Sequence, residues 1–261
     1  MAQRTGPRLF DTHCHLTLTP SESPQAVWER SVEAGADRAL VVGIDIATSR
    51  TAADFVQGRD GLYASAGIHP NSSQGFTAHD LAEIRRIAGQ AKVLAIGESG
   101  LDFYREHAAH DVQVRCLEEH AELAVDLERP LILHIRDAFQ RTGEVLQPFV
   151  ERGLRAVVHC FTGGPQDLHP FLDYGFYISF SGVLTYPNAP KVRDAARAVP
   201  LERLLVETDA PYLAPVPMRG RTNEPAFIVH TANKLAEVRD LSYEKIARIT
   251  TDNACRLFGI G

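Results

Sequence analysis

Short apolar runs recur along the chain at Leu9-Phe10, Ala39-Leu-Val-Val42, Leu62-Tyr-Ala64, Val93-Leu-Ala-Ile96, Leu131-Ile-Leu133, Ala156-Val-Val158, Phe176-Tyr-Ile178 and Leu204-Leu-Val206. Runs this short, bounded by polar stretches, read as buried strands. Between them the apolar spacing changes to three and four. Val112, Cys116, Leu117, Ala121, Ala124 and Leu127, for example, mark one face of a helix. Ser23-Pro24 supplies an N-cap and a first helical residue, and Gly35 a C-terminal stop. Eight strand–helix repeats in 261 residues predict an α/β fold of the (β/α)8 TIM-barrel type, a single domain over 1–261. A doubly wound open sheet is the structural alternative. A helix pair from about Ser242 to Phe258 is expected to close or cover the barrel, as a helical tail over about 242–261. Residues 1–8, with Gly6-Pro7, are expected to form a short arm.

Composition narrows the setting without naming the chemistry. A formal net charge of −6 argues against a globally basic nucleic-acid binder, because counterion-release binding needs a Lys/Arg-rich surface. Only four of the 27 basic residues are Lys, so phosphate contact would fall to Arg, whose fork suits phosphate oxygens. No apolar stretch is long enough to span a bilayer, and Met1–Arg8 lacks a secretory apolar core, so a cytoplasmic location is expected, with no membrane association. Cys14, Cys116, Cys160 and Cys255 show no paired spacing and read as reduced, buried thiols.

The polar residues that directly follow the apolar runs carry the chemistry. Asp11-Thr-His13-Cys-His15 ends the first run, and strand alternation would place Asp11, His13 and His15 on one face. Gly67-Ile-His69 ends the third, Gly97-Glu98 the fourth, His134 the fifth, His159 the sixth, and Glu207-Thr-Asp209 the eighth. Barrel active sites are built at the C-terminal ends of strands, so these side chains are expected to converge on one mouth. Imidazoles and carboxylates together form a divalent-metal ligand set. Glu98, midway through the series, is the natural bridge between two cations. Asp209 is expected to serve as ligand and general base, and Glu207, one step deeper, to support a ligand from behind. No Lys ends a strand, which argues against a carboxylated-lysine bridge. His79, His107, His110, His120, His169 and His230 read as ordinary surface or local hydrogen-bonding residues, His107 and His110 being the least settled.

These segments resemble the TatD-like DNase family of metal-dependent hydrolases, within the amidohydrolase superfamily. The resemblance runs from about Leu9 to Phe258 and is carried by Asp11–Leu16, Gly67–Pro70, Gly97–Tyr104, Pro130–Asp137, His159–Gly163, Leu205–Leu213 and Arg219–Pro225. It implies that His13, His15, Glu98 and Asp209 hold one metal, that Glu98, His134 and His159 hold a second, and that His69 lines the pocket near the scissile group. Ser99 departs from the apolar residue usual at its place in the family, which puts no ligand in doubt.

The resemblance further implies hydrolysis of phosphodiester bonds in DNA, and by extension RNA, with two divalent ions drawn from Mg, Mn or Zn. The expected substrate is single-stranded or end-accessible DNA, and no obligate protein partner is evident. Arg136, Arg105, Arg219 and Arg221 are candidates to hold phosphates, or else to brace loops, for instance against Glu224. Phe103, Tyr104, Phe161 and Tyr212 are candidates to stack on splayed bases, or else to pack at the rim or in the core. Two other readings remain open. One is a hydrolase of a small ester, amide or deaminable molecule on the same barrel, and the other a non-catalytic metal-bearing module that binds nucleic acid or a partner protein.

Overall fold

Each of the eight apolar runs marks a strand of the computed structural model, with only Val42 and Phe176 falling one residue outside; the structure describes residues 7–19, 22–105 and 107–261. The strands are β1 (Leu9–Cys14), β2 (Ala36–Val41), β3 (Leu62–Ala66), β4 (Val93–Asp102), β5 (Leu131–Arg136), β6 (Ala156–Val158), β7 (Tyr177–Phe180) and β8 (Leu204–Val206). They lie in sequence order in one parallel sheet. Parallel neighbours need a crossover, and α1 (Pro24–Ala34), α2 (Ile46–Phe55), α3 (Ala78–Ala88), α4 (His110–Asp126), α5 (Phe139–Val150), α6 (His169–Asp173) and α7 (Pro190–Ala198) supply them. α8 (Ile228–Arg239) and α9 (Tyr243–Phe258) follow β8. Six of the eight residues of the expected arm lie outside the described residues; the carbonyl of Arg8 accepts a hydrogen bond from Thr251 Oγ1 of α9 at 2.9 Å.

The sheet curls into a barrel instead of staying open. At the C-terminal end of β1 and just past that of β8, Asp209 N donates to His13 O at 2.9 Å and His15 N to Ala210 O at 2.7 Å. Thr12 Oγ1 adds a bond to Val206 O at 3.0 Å. The seam between first and last strand is thus stitched at the residues that carry the candidate ligands.

Two apolar layers hold this arrangement. Inside the barrel, Phe10, Leu40, Ile132, Val157, Tyr177 and Leu205 pack together and meet Ala254, Leu257 and Phe258 of α9, with Phe10 and Phe258 ring centroids 5.6 Å apart. A larger layer fills the space between strands and outer helices. Burial of this kind stabilises by ~25 cal/mol per Å² of apolar surface removed from water. Residues 243–258 form one helix, not the expected pair, because no Gly or Pro interrupts them; Ser242 caps its start, accepting from Lys245 N at 3.2 Å. α9 packs on the strand starts and leaves the strand ends free.

Two local departures shape the mouth. The fourth apolar run stops at Ile96, yet β4 continues to Asp102, with its register against β5 shifting between Ile96 and Ser99. Such an irregularity re-aims side chains, here around Glu98. Gly97 permits it: its φ is +120°, and a Cβ there would stand 2.7 Å from Ile132 O. In β1 the register shifts between Asp11 and Cys14, and strict alternation does not hold. Asp11 is directed instead to Thr208, whose N and Oγ1 it receives at 2.9 and 2.5 Å. Burial pushes the Asp11 carboxyl up to about 8, against these two bonds.

His120, expected at the surface or in local hydrogen bonding, is buried in α4. Its Nε2 accepts from Ile68 N at 3.1 Å and its Nδ1 donates to Cys116 O at 2.7 Å, so it is neutral and fixes the backbone before His69. Burial lowers its pKa to about 4. Between that value and the ordinary 6.5 only the unfolded chain takes up the proton, so stability is full above pH 6.5 and falls as the pH drops toward 4. His120→Gln is expected to remove ~2 kcal/mol of the stability difference between pH 7.5 and pH 5 in urea unfolding. An unchanged difference would show that His120 titrates normally.

Candidate metal centre

Six of the expected residues meet at the C-terminal mouth of the barrel. On one side, His13 Nε2 and His15 Nε2 lie 3.2 Å apart, and Asp209 Oδ1 stands 3.7 and 3.5 Å from them. On the other, His134 Nδ1 and His159 Nε2 lie 3.3 Å apart. Glu98 stands between the two. Its Oε2 faces His13 and His15 at 3.4 and 3.7 Å, and its Oε1 faces His134 and His159 at 3.1 and 3.0 Å. His69 Nε2 also approaches Oε1, at 3.4 Å. Asp209, at φ +58°, turns out of β8 at the seam and brings its carboxylate to the histidines of β1.

The outer nitrogens show how these imidazoles are set. His15 Nδ1 faces the carbonyl of Val42 at 3.1 Å, and a carbonyl only accepts, so Nδ1 carries the proton and Nε2 offers a lone pair inward. His159 Nδ1 likewise faces Glu207 Oε1 at 3.3 Å, as expected of Glu207. His134 is held by its other nitrogen: Nε2 faces Asp102 Oδ2 at 3.3 Å, which leaves Nδ1 as the inward lone pair. Acceptors behind ligand histidines are the usual orienting device of metal sites. Bare lone pairs 3.2–3.3 Å apart repel, whereas two donors sharing an ion at about 2.0–2.2 Å stand at such separations. The residues present therefore fit divalent cations on either side of Glu98.

Electrostatics agree. Burial pushes the Glu98 carboxyl up, but His159, His69 and His13 outweigh it and hold the group well below the usual carboxylate range. Asp209 is lowered in the same way, burial being overcome by His15 and His13. Burial also depresses His159, yet Glu98 and Glu207 raise it well above its ordinary value.

Asp102 is a residue that sequence reading passed over. Besides holding His134, its Oδ2 receives Asn71 Nδ2 at 3.1 Å, and its Oδ1 receives the backbone N–H groups of Tyr104 and Arg105 at 3.1 and 2.9 Å. Its place after Gly100-Leu101, in the strand that carries Glu98, was the available signal.

The expected substrate residues divide. Tyr104 is 61% exposed, with the Arg136 guanidinium 4.2 Å over its ring, and exposed Arg105 follows on the same loop. Arg221 is exposed in the loop after β8, apart from that group in sequence, and Tyr212 there is 53% exposed beside His15. Arg219 is engaged instead, donating to Tyr186 Oη at 2.6 Å. Glu224 pairs with Arg30 of α1 at 2.6 Å and not with Arg219 or Arg221. Phe161 is buried in the core, and Phe103 is half-buried and stacked on His110 at 3.8 Å, so neither is free to stack on a base. All four cysteines are free; Cys14 and Cys116 are buried, while Cys160 and Cys255 are only partly so.

A parallel eight-stranded barrel with imidazoles and carboxylates gathered at its C-terminal mouth defines a metal-dependent hydrolase. Comparison with known proteins narrows the class. The family model for TatD-related DNases matches residues 10–259. An "Uncharacterized metal-dependent hydrolase", YabD, of Bacillus subtilis (strain 168) is 37% identical over 97% of this chain and 99% of its own. A "3'-5' ssDNA/RNA exonuclease TatD" of Pantoea ananatis is 36% identical over 97% of this chain and 100% of its own. The crystal structure of YjjV, a TatD homologue from Escherichia coli K12, superposes with a TM-score of 0.91 at 30% identity, over 97% of this chain and 99% of that one. The chain belongs to the TatD family of metal-dependent hydrolases. Among the described residues, no helix is long and apolar enough to cross a membrane.

Glu207→Gln is expected to weaken divalent-ion binding by roughly 10–100-fold in a competition titration, with unchanged circular dichroism. Wild-type affinity in this variant would mean that the charge of Glu207 behind His159 does not matter, since the Gln carbonyl can still accept from Nδ1.

Proposed function

We propose that this protein hydrolyses phosphodiester bonds in nucleic acid, single-stranded or end-accessible DNA foremost, with two divalent ions of Mg, Mn or Zn. In this reading His13, His15, Glu98 and Asp209 hold one ion and Glu98, His134 and His159 the other. The observation that carries it is Glu98, a buried carboxylate with one oxygen turned to each of two histidine pairs. A two-cation site suits an in-line displacement at phosphorus, where attacking and leaving oxygens both need stabilising. When bound, the ions supply Lewis acidity to the phosphoryl group and acidify the attacking water.

The chain's own groups do the rest. Asp209, kept ionised by His15 and His13, accepts the proton of the attacking water. Arg136 and Arg105 stand where phosphates of a strand entering the mouth would lie, and Tyr104 offers an exposed ring for an unpaired base. Arg221 offers a further guanidinium from the β8 loop. With a net charge of −6, affinity for nucleic acid would rest on these mouth residues and not on a basic surface. The exonuclease description carried by the Pantoea ananatis relative supports the same substrate class.

Metal-stripped protein resupplied with Mg2+, Mn2+ or Zn2+ is expected to shorten end-labelled single-stranded DNA. Asp209→Asn should cut kcat by roughly 10²–10⁴-fold with the fold intact, and Glu98→Ala should lose bound metal. Folded, metal-loaded protein that leaves DNA whole but turns over small esters or amides would replace the nuclease reading with the small-molecule one.

A further inference from the structure

His13 is set differently from the other imidazoles at the mouth: its Nδ1 is buried and meets no hydrogen-bond partner among the described residues. Its Nε2 faces inward, 3.2 Å from His15 Nε2 and 3.4 Å from Glu98 Oε2. A cation held there takes the Nε2 lone pair, which puts the ring proton on Nδ1. His13 is 0% exposed, and a buried donor left unanswered costs ~1–3 kcal/mol.

A complementary orphan lies close by. Glu207, also 0% exposed, turns Oε1 to His159 Nδ1 at 3.3 Å, while its Oε2 meets no partner among the described residues. A ring nitrogen of His13, one of His159 and an oxygen of Glu207 all lie within 4.8 Å of one another. The His13 and His159 rings are stacked, with centroids 3.9 Å apart and planes within 12°. Their Nε2 atoms face the two oxygens of Glu98. A donor lacking an acceptor thus stands near an acceptor lacking a donor, with no direct bond between them. One water making two hydrogen bonds of ~2.8 Å at a near-tetrahedral angle spans ~4.5 Å, which suits such a pair.

We infer that Glu207 is a positioning residue for both ions of the proposed site, one oxygen holding His159 directly and the other holding His13 through a single buried water. Glu98 then joins the two stacked histidines at their inward nitrogens and Glu207 at their outward ones. The inference rests on the two-ion part of the reading above and is independent of the substrate. It sets Glu207 apart from the other acceptors at the mouth. Val42 O stands behind His15 alone, and among the ligand histidines Asp102 stands behind His134 alone, so each serves one side of Glu98. Loss of Glu207 acts on both sides at once.

The test uses the wild-type chain with the variants Glu207→Ala and Asp102→Ala, the fold of each being checked by circular dichroism. Occupancy of the two positions is followed by anomalous scattering from crystals equilibrated in chelator-buffered Zn2+ over a range of free concentrations. In Glu207→Ala both positions are expected to need roughly 10–100-fold more Zn2+ to fill. In Asp102→Ala only the position beside His134 and His159 should. A high-resolution structure of the zinc-loaded wild type, which depends on no variant folding, should show one water within about 3.2 Å of both His13 Nδ1 and Glu207 Oε2. Weakening in Glu207→Ala confined to the position beside His134 and His159, as in Asp102→Ala, would overturn the inference, and so would a wild type without that water. A wild type that never takes a second ion overturns the two-ion reading itself, a result distinct from a two-ion wild type in which Glu207→Ala affects one position only.

Discussion

A single buried carboxylate organises the mouth of this barrel. Glu98 is 2% exposed, and an ionised carboxylate taken out of water costs several kcal/mol unless it is compensated. Compensation comes from nitrogens of His13, His15, His69, His134 and His159, all within 3.0–3.7 Å of one of its oxygens. These histidines follow or belong to four different strands, so the charge is tolerable only when the barrel has closed around it. Fold and site are one problem, because the seam that closes the sheet, His13 O to Asp209 N and His15 N to Ala210 O, also delivers two histidines and the second carboxylate.

Behind the inward-facing groups stand partners that decide what four of the five imidazoles offer, His13 Nδ1 being buried without one among the described residues. Val42 O, Glu207 and Asp102 pin protons outward, and Asn71 N–H pins one inward. The arrangement needs no metal to be legible as a metal site, since imidazoles without this bracing would be free to rotate or to change tautomer. Asp102 extends the control to the rim: the same side chain that steadies His134 anchors the backbone of Tyr104 and Arg105. The candidate metal centre and the exposed Tyr104–Arg105 loop are tied through one carboxylate.

Much of this was readable in the amino-acid order because both signals are local. Apolar runs mark strands, and a polar residue within three positions after such a run, as at His13, His134, His159 and Asp209, has few reasons to be there except chemistry. What escaped depends on tertiary contact. The continuation of β4 through Gly97-Glu98-Ser99-Gly100 carries no apolar pattern and is held by pairing to β5. Asp102 looks like any acidic residue at a loop start until His134 packs against it. Glu224 finds Arg30, 194 positions away, which no spacing rule reaches. Asp11 was placed with His13 by strand alternation, and a register shift sends it to Thr208. Phe161 was a candidate base platform because its exposure, unlike its residue type, is not written locally.

The most direct measurement is the anomalous scattering of crystals grown with Mn2+ or Zn2+, which locates ions without reference to any substrate. Two peaks on opposite sides of the Glu98 carboxylate, one beside His13, His15 and Asp209 and one beside His134 and His159, are the result this account predicts. A single peak that leaves one oxygen of Glu98 free, or metal bound away from Glu98, would contradict it.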